Sequence, residues 1–252
     1  MYLGHSTVLI ELDGVRLLTD PLLRGRIGPL FARRSAPASA ESIGAVDAVL
    51  ISHWHRDHLD LPSLRSLPPE TPIVAPRGTG CLLHRAGFKT LTEVEAGDAV
   101  DVGGVKVVAV PAHHGGPRTP LSRARAVFVG YVAGSNARVY FAGDTGLFDD
   151  MAKLAPLELA LLPVGGWGPA LGAGHMTPRQ AAEAVSLLRP AVAVPIHWGT
   201  IYLRGLGWGR PRWLTQPAEE FARHVKVTAP DVAVRILEAG DSLPLPPDAR
   251  AA

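Results

Sequence analysis

The chain of 252 residues has a single cysteine, Cys81. That count excludes an intrachain disulfide framework and any zinc site built on several thiolates, and it fits a reducing cytosol. Charge is also sparse: Asp, Glu, Lys and Arg make up 19% of the residues, below the roughly 25% of ordinary soluble domains. A net charge of +2 creates no overall field that would draw in nucleic acid. No stretch approaches the ~18 consecutive apolar residues of a membrane span, and the opening MYLGHSTVLIELDG lacks the charged head and long apolar run of a signal peptide. These absences predict a soluble, cytoplasmic protein with no transmembrane segment and no nucleic-acid partner.

What the chain does have is apolar material for a sizeable core, at 47%, and many breakers, with 27 glycines and 23 prolines spread throughout. Short elements joined by tight turns follow from that punctuation. No internal repeat, low-complexity tract or composition break divides the chain, so residues 1–252 are read as one domain. Hairpins are predicted over 6–12 and 15–19 around Asp13-Gly14, over 101–102 and 105–110 around Gly103-Gly104, and over 127–132 and 138–142. A helix is predicted from Thr177-Pro178 to just before Pro190, because threonine caps, proline suits the first turn, and Ala181, Ala184, Val185 and Leu188 recur at helical spacing. A strand over 191–196, a helix over 216–225 and a strand over 232–237 complete the pattern. Hairpins at both ends with helices between them point to a mixed layered structure rather than a doubly wound parallel sheet.

Four apolar strands end in residues that can bind metal. Residues 49–52 run into HWHRDH, which places His53, His55, Asp57 and His58 within six positions. Residues 107–112 run into His113-His114, 139–143 into Asp144, and 192–196 into His197. A histidine-rich set with two aspartates and no cysteine suits a binuclear hydrolytic centre, since imidazole binds zinc, iron or manganese and a carboxylate can bridge two ions. His53 and His55 can project the same way, whereas Asp57 and His58 lie past the turn and can reach a neighbouring ion. Adjacent strand residues point oppositely, so only one of His113 and His114 can be a ligand.

HWHRDH matches the HxHxDH signature of the metallo-β-lactamase superfamily, and further matches follow in order. LGHSTVLIELDGVRLLTDP resembles that family's opening hairpin, PAHH its third motif, FAGDTG its bridging-aspartate turn and PIHWGT its last histidine strand. Within the superfamily, GHMTPRQAAEAVSLLRPAVAVPIHWGT is similar to the branch of N-acyl-phosphatidylethanolamine-hydrolysing phospholipase D and of ascorbate-phosphate lactonase-like proteins. The resemblance implies an α+β, four-layer αββα sandwich with two divalent metal ions, zinc first and manganese or iron as alternatives. It implies His53, His55 and His114 for one ion, Asp57, His58 and His197 for the other, and Asp144 bridging both. The expected activity is hydrolysis of a phosphodiester or related ester by a metal-bridging hydroxide, with Asp57 or Asp144 orienting the nucleophile. The substrate would be a small molecule or a lipid-like ester.

Several readings stay open at this level. His175 is either a proton donor lining the cleft or a helix-entry residue with a structural hydrogen bond. His5 is either a partner that orients a ligand or a plain structural residue, and the second is favoured. Trp167 and Trp208, on glycine-rich loops, are either a substrate wall or packed. Arg24, Arg26, Arg33 and Arg34 form either a solvated loop or an anion-holding rim. A rim would suit a lactonase acting on a sugar-phosphate-like anion, whereas a lipid substrate requires an apolar patch at the cleft mouth, for which residues 27–31 are the candidate. Outside the enzymes, a metal-stabilised binding module without turnover is the rival.

Overall fold

The computed structural model describes residues 1–118, 125–166, 171–205 and 211–245, so Trp167 and Trp208 lie outside the described residues. Strand β1 (Tyr2–Gly4) leads into the predicted first hairpin, β2 (Thr7–Leu12) and β3 (Val15–Thr19). These strands join β6 (Ala48–Leu50), β7 (Ile73–Pro76) and β8 (Leu91–Val94) in a sheet of order β1-β2-β3-β6-β7-β8. A small sheet is formed by β4 (Arg26–Ile27), β5 (Phe31–Arg33) and β15 (Ile201–Leu203). The third sheet holds β9 (Ala99–Val102), β10 (Val105–Pro111), β11 (Val129–Ala133), β12 (Val139–Phe141), β13 (Leu157–Pro163), β14 (Pro190–Ile196) and β16 (Ala233–Val234). Pairing in the two large sheets is mixed: β3, β6, β7 and β8 run parallel, as do β12, β13, β14 and β16, while the hairpins are antiparallel.

Alternation along the strands builds the layers. Ile10, Leu17, Leu50, Val107, Leu161 and Val194 point into one cluster between the two large sheets. Their sequence neighbours point outward: Leu9, Leu18 and Val49 under the helices of the first half, and Ala160, Leu162 and Ala193 under those of the second. Helices Pro178–Leu188 and Pro217–Thr228 cover the seven-stranded sheet through Ala181, Val185, Phe221 and Val225. Helix and sheet layers therefore stack in the predicted αββα order.

The helix at 178–188 starts as its sequence requires. Thr177 Oγ1 accepts from Gln180 N–H at 3.2 Å, and the Gln180 side chain accepts from Thr177 N–H at 3.0 Å. The last helix outruns its predicted end at 225, because Thr228 Oγ1 donates to Ala182 O at 3.3 Å and ties the extra turn to its neighbour. The closing strand contracts from the predicted 232–237 to Ala233–Val234. Among the described residues no helix is long and apolar enough to cross a membrane.

Candidate metal centre

β3, β6, β12 and β14 each deliver a polar residue at the carboxyl end, as does the segment that follows β10, and these side chains converge. Three donors come together in His53, His55 and His114, with Nδ1 of His55 3.2 Å from Nε2 of His114. A second group combines Asp57, His58 and His197 with His5. Asp144 lies between the groups: its Oδ2 is 3.1 Å from His58 Nε2, 3.2 Å from His197 Nε2, 3.4 Å from His175 Nε2 and 3.9 Å from His53 Nε2. All seven residues expected to bind metal therefore share one site.

In four of the rings, those of His53, His58, His114 and His197, the second nitrogen is occupied in a way that frees the first. His114 Nδ1 donates to Gly174 O at 3.0 Å and His197 Nδ1 to Gly165 O at 3.0 Å. His58 Nδ1 donates to Asp20 Oδ2 at 2.6 Å. His53 Nδ1 donates to Ser52 Oγ at 2.9 Å, and that hydroxyl donates in turn to Asp20. A carbonyl or carboxylate can only accept, so Nδ1 carries a proton whatever the charge of the ring, and Nε2 is the atom turned to the centre, with a lone pair there when the ring is neutral. Nε2 of His53, His58 and His197 and Oδ1 of Asp144 are buried without a hydrogen-bond partner. Buried polar atoms left unpaired cost about 1–3 kcal/mol each, and four at one point form a donor set that divalent ions would satisfy.

Electrostatics divide the rings into neutral and protonated ones in the metal-free protein. Burial lowers His53 well below its ordinary value, with the charge on His58 adding to it, and lowers His114 to about 4. Burial also opposes a proton on His197 and on His58, yet Asp144 and its neighbouring carboxylates outweigh it. His197 rises to about 9 and His58 well above its normal range. Conversely, burial resists ionisation of Asp57 and Asp144, but the surrounding histidines hold both well below the usual carboxylate range. Two carboxylates thus stay charged in a buried site, where only cations or protons can balance them.

The alternatives left open by sequence now separate. His113 is exposed and stacks on Phe148 with ring centres 4.2 Å apart, outside the cluster, while His114 faces in. His5 is more than the plain structural residue favoured above: its Nε2 lies 3.0 Å from Asp57 Oδ2, and burial, with His197, pushes it down to about 3, so it is neutral. Its carbonyl accepts from His197 N–H at 2.8 Å, which fastens the first strands to the last candidate ligand. The arginine-rich stretch is for the most part neither a solvated loop nor a rim. Arg24 pairs with Asp60 at 2.6 Å, Arg33 is buried and donates to Leu22 O and Leu3 O, and Arg34 donates to Gly199 O at 2.6 Å. Arg26, in β4, and Arg34 are exposed, the second with its Nε engaged by Gly199 O.

Asp20 and Ser52 were not singled out by sequence. Asp20 holds Ser52 through N–H at 2.7 Å as well as through the hydroxyl, and so orients His53 and His58 together. The visible signal was a carboxylate at the end of β3 in Thr19-Asp20-Pro21; its φ of 33° was not legible. His5 and His197 are likewise in left-handed backbone, at 59° and 58°, a costly conformation that here collects at one site. Gly143 (φ 60°) is required just before Asp144, because a Cβ there would lie 2.4 Å from Ser52 Cβ.

The centre opens into a cleft of about 700 Å³. One side carries His55, Asp57, His114, Asp144 and His175; the other is apolar, from Ile27, Pro29, Leu30, Phe31 and Ile201. His175 Nδ1 donates to Gly172 O at 3.2 Å, which turns Nε2 toward Asp144 and the cleft.

Comparison with known proteins agrees with this geometry. The chain matches the Beta-lactamase superfamily domain over residues 15–198. It is 35% identical over 250 residues to a UPF0173 metal-dependent hydrolase of Methanopyrus kandleri, covering 96% of this chain and 97% of that protein. It is 33% identical over 224 residues to N-acyl-phosphatidylethanolamine-hydrolyzing phospholipase D 1 of Caenorhabditis elegans, covering 79% of this chain and 63% of that one. Mycobacterial relatives of 35% identity are longer, and the chain spans 66% of their length. Among solved structures, a metallo hydrolase from the archaeon Ignicoccus hospitalis superposes with a TM-score of 0.73 at 26% identity, covering 96% of each chain. By motif order, by layer architecture and by these relationships, the chain belongs to the metallo-β-lactamase fold superfamily.

Proposed function

We propose that the protein is a binuclear metal-dependent hydrolase acting on a phosphodiester or related ester that carries an apolar group. The observation that carries this reading is the set of buried, partnerless Nε2 and Oδ1 atoms of His53, His58, His197 and Asp144 around one point. His53, His55 and His114 would hold one ion, Asp57, His58 and His197 the other, and Asp144 would bridge. Imidazoles with carboxylates and no thiolate suit Zn2+ best, with Mn2+ or iron as alternatives. Ions so held supply Lewis acidity and a nucleophile from water near neutral pH.

The chain's own groups take the remaining roles. Asp57 and Asp144 stay ionised and accept a hydrogen bond from the attacking water, orienting it. His175, with Nε2 turned into the cleft, gives a proton to the leaving oxygen. Ile27, Pro29, Leu30 and Phe31 exclude water and receive the apolar part of the substrate. The phosphodiester assignment is supported by the relative named as an N-acyl-phosphatidylethanolamine-hydrolyzing phospholipase D. The sugar-phosphate lactone reading has less support, because two of its four candidate anion-holding arginines, Arg24 and Arg33, are engaged with Asp60 and with backbone carbonyls. The exposed thiol of Cys81 supports a reducing cytoplasmic setting.

The test pairs elemental analysis of the purified protein with hydrolysis of bis(p-nitrophenyl) phosphate, p-nitrophenyl esters and a simple lactone, before and after chelation. Two ions per chain and chelator-sensitive cleavage of the diester are expected. Two ions with no hydrolysis of any ester would favour a metal-stabilised binding module, and cleavage of the lactone alone would favour a lactonase.

A further inference from the structure

The turn that carries His55, Asp57 and His58 is fastened at both ends by one distant side chain. Arg118 donates through one guanidinium nitrogen to Trp54 O and through the other to Leu59 O at 3.0 Å. The return contact runs the other way, from Trp54 Nε1–H to Gly116 O at 3.1 Å. Trp54 is buried. Between these contacts Gly116 packs directly on a ligand candidate, since a Cβ there would lie 3.3 Å from His55 Nε2.

Three hydrogen bonds therefore join two segments some sixty residues apart in sequence. One segment bears His53 and His55; the other bears His114, two residues before Gly116 and four before Arg118. A planar guanidinium suits this task, because its fork can reach two carbonyls at once in fixed geometry, and charge-assisted bonds of this kind are roughly twice as strong as neutral ones. Asp57, His58 and His197 have supports of their own in His5, Asp20 and Gly165. His114 is held by its bond to Gly174 O besides this fastening.

We propose that Arg118 and Trp54 are positioning residues: together they clasp the His114 segment to the HWHRDH turn and so set the geometry of the His53, His55 and His114 ion site, leaving the neighbouring site to other supports. This inference rests on those three histidines being ligands of one ion.

The test is calorimetric titration of Zn2+ into chelator-stripped full-length protein, for the wild type and for Arg118→Met, Arg118→Lys and Trp54→Phe. His114→Ala marks which of two binding events belongs to the first site. The melting temperature of the metal-free protein is read in parallel. Arg118→Met and Trp54→Phe are expected to weaken the marked event by about 10- to 100-fold, the usual range for losing an outer partner of a metal ligand. The other event should stay within about threefold. Arg118→Lys should fall between, since an ammonium keeps the charge but not the fork. Because the two side chains hold the same pair of segments, the double variant should lose less than the product of the single losses. Equal weakening of both events, or weakening of neither with an altered melting temperature, would overturn the clasp and leave a purely structural role. Should Arg118→Met fail to fold, Trp54→Phe, which removes the indole N–H with part of the ring and keeps an aromatic side chain, decides alone, its packing cost being read in the melting temperature. A wild type that binds no Zn2+ would instead overturn the ligand assignment, so the two failures are distinct.

Discussion

Asp20 and His58 lie 38 residues apart in sequence, yet their side chains meet at 2.6 Å in a fully buried contact, with Asp20 also holding Ser52 and, through it, His53. One carboxylate at the end of β3 therefore orients two imidazoles that the proposed function assigns to different ion sites. Asp20→Asn is expected to weaken Zn2+ binding by about 10- to 100-fold at both sites, with little change in fold. Competition titration against a chromogenic chelator checks this, and affinities equal to those of the wild type would remove Asp20 from the centre.

His175 is expected to affect turnover without affecting metal content. A general acid contributes about 10²- to 10⁴-fold, most for a poor leaving group. His175→Gln should therefore slow cleavage of an alkyl diester by about 100-fold or more and spare a nitrophenyl diester, whose leaving group needs no proton. Loss of an ion in this variant would show His175 to be a ligand, a role its 3.4 Å approach to Asp144 also permits.

Leu30 is 59% exposed at the mouth of the cleft, on the turn between β4 and β5. An apolar contact of that size discriminates by about tenfold or more in kcat/KM. Leu30→Asp should reduce kcat/KM about tenfold for esters with long alkyl groups and leave short ones unchanged. An equal fall for both would mean that the wall does not read chain length.

The pH dependence of the metal-free protein follows from the direction of the histidine shifts. His197, raised to about 9, and His58, raised well above its ordinary value, add stability below pH ~6.5 that is lost as pH climbs toward 9. His5, lowered to about 3, and His114, lowered to about 4, act oppositely: the unfolded chain takes up their protons first, so stability falls as pH drops below ~6.5. The melting temperature of chelator-stripped protein should thus peak near pH 6.5. Zn2+ requires the neutral rings, so added metal should remove the decline above that pH. A metal-free curve that keeps rising to pH 9 would contradict the charged pairing of His197 with Asp144.

The layer order was legible because β2, β3, β10 and β14 are short apolar runs bounded by turn residues such as Asp13-Gly14 and Gly103-Gly104, and the helix at 178–188 carries its cap and its stop in sequence. The convergence of HWHRDH, His114, Asp144 and His197 was legible because each stands just past an apolar strand, and strand ends of layered folds meet. Local pattern could not show what depends on backbone angle or long-range pairing. Asp20 and His5 sit at positive φ, which no residue type announces, and Arg33 looked like part of a basic surface run until its guanidinium was found capping carbonyls. Arg118 and Trp54 act through contacts some sixty residues apart, for which one sequence holds no signal.

His53, His55, Asp57, His58, His114, Asp144 and His197 are proposed to hold two ions. The most direct measurement is anomalous diffraction at the zinc edge from crystals grown with Zn2+. Two peaks are predicted, one among His53, His55 and His114, the other among Asp57, His58 and His197, with Asp144 between them. A single peak, or none, at these residues in metal-replete crystals would contradict the binuclear centre.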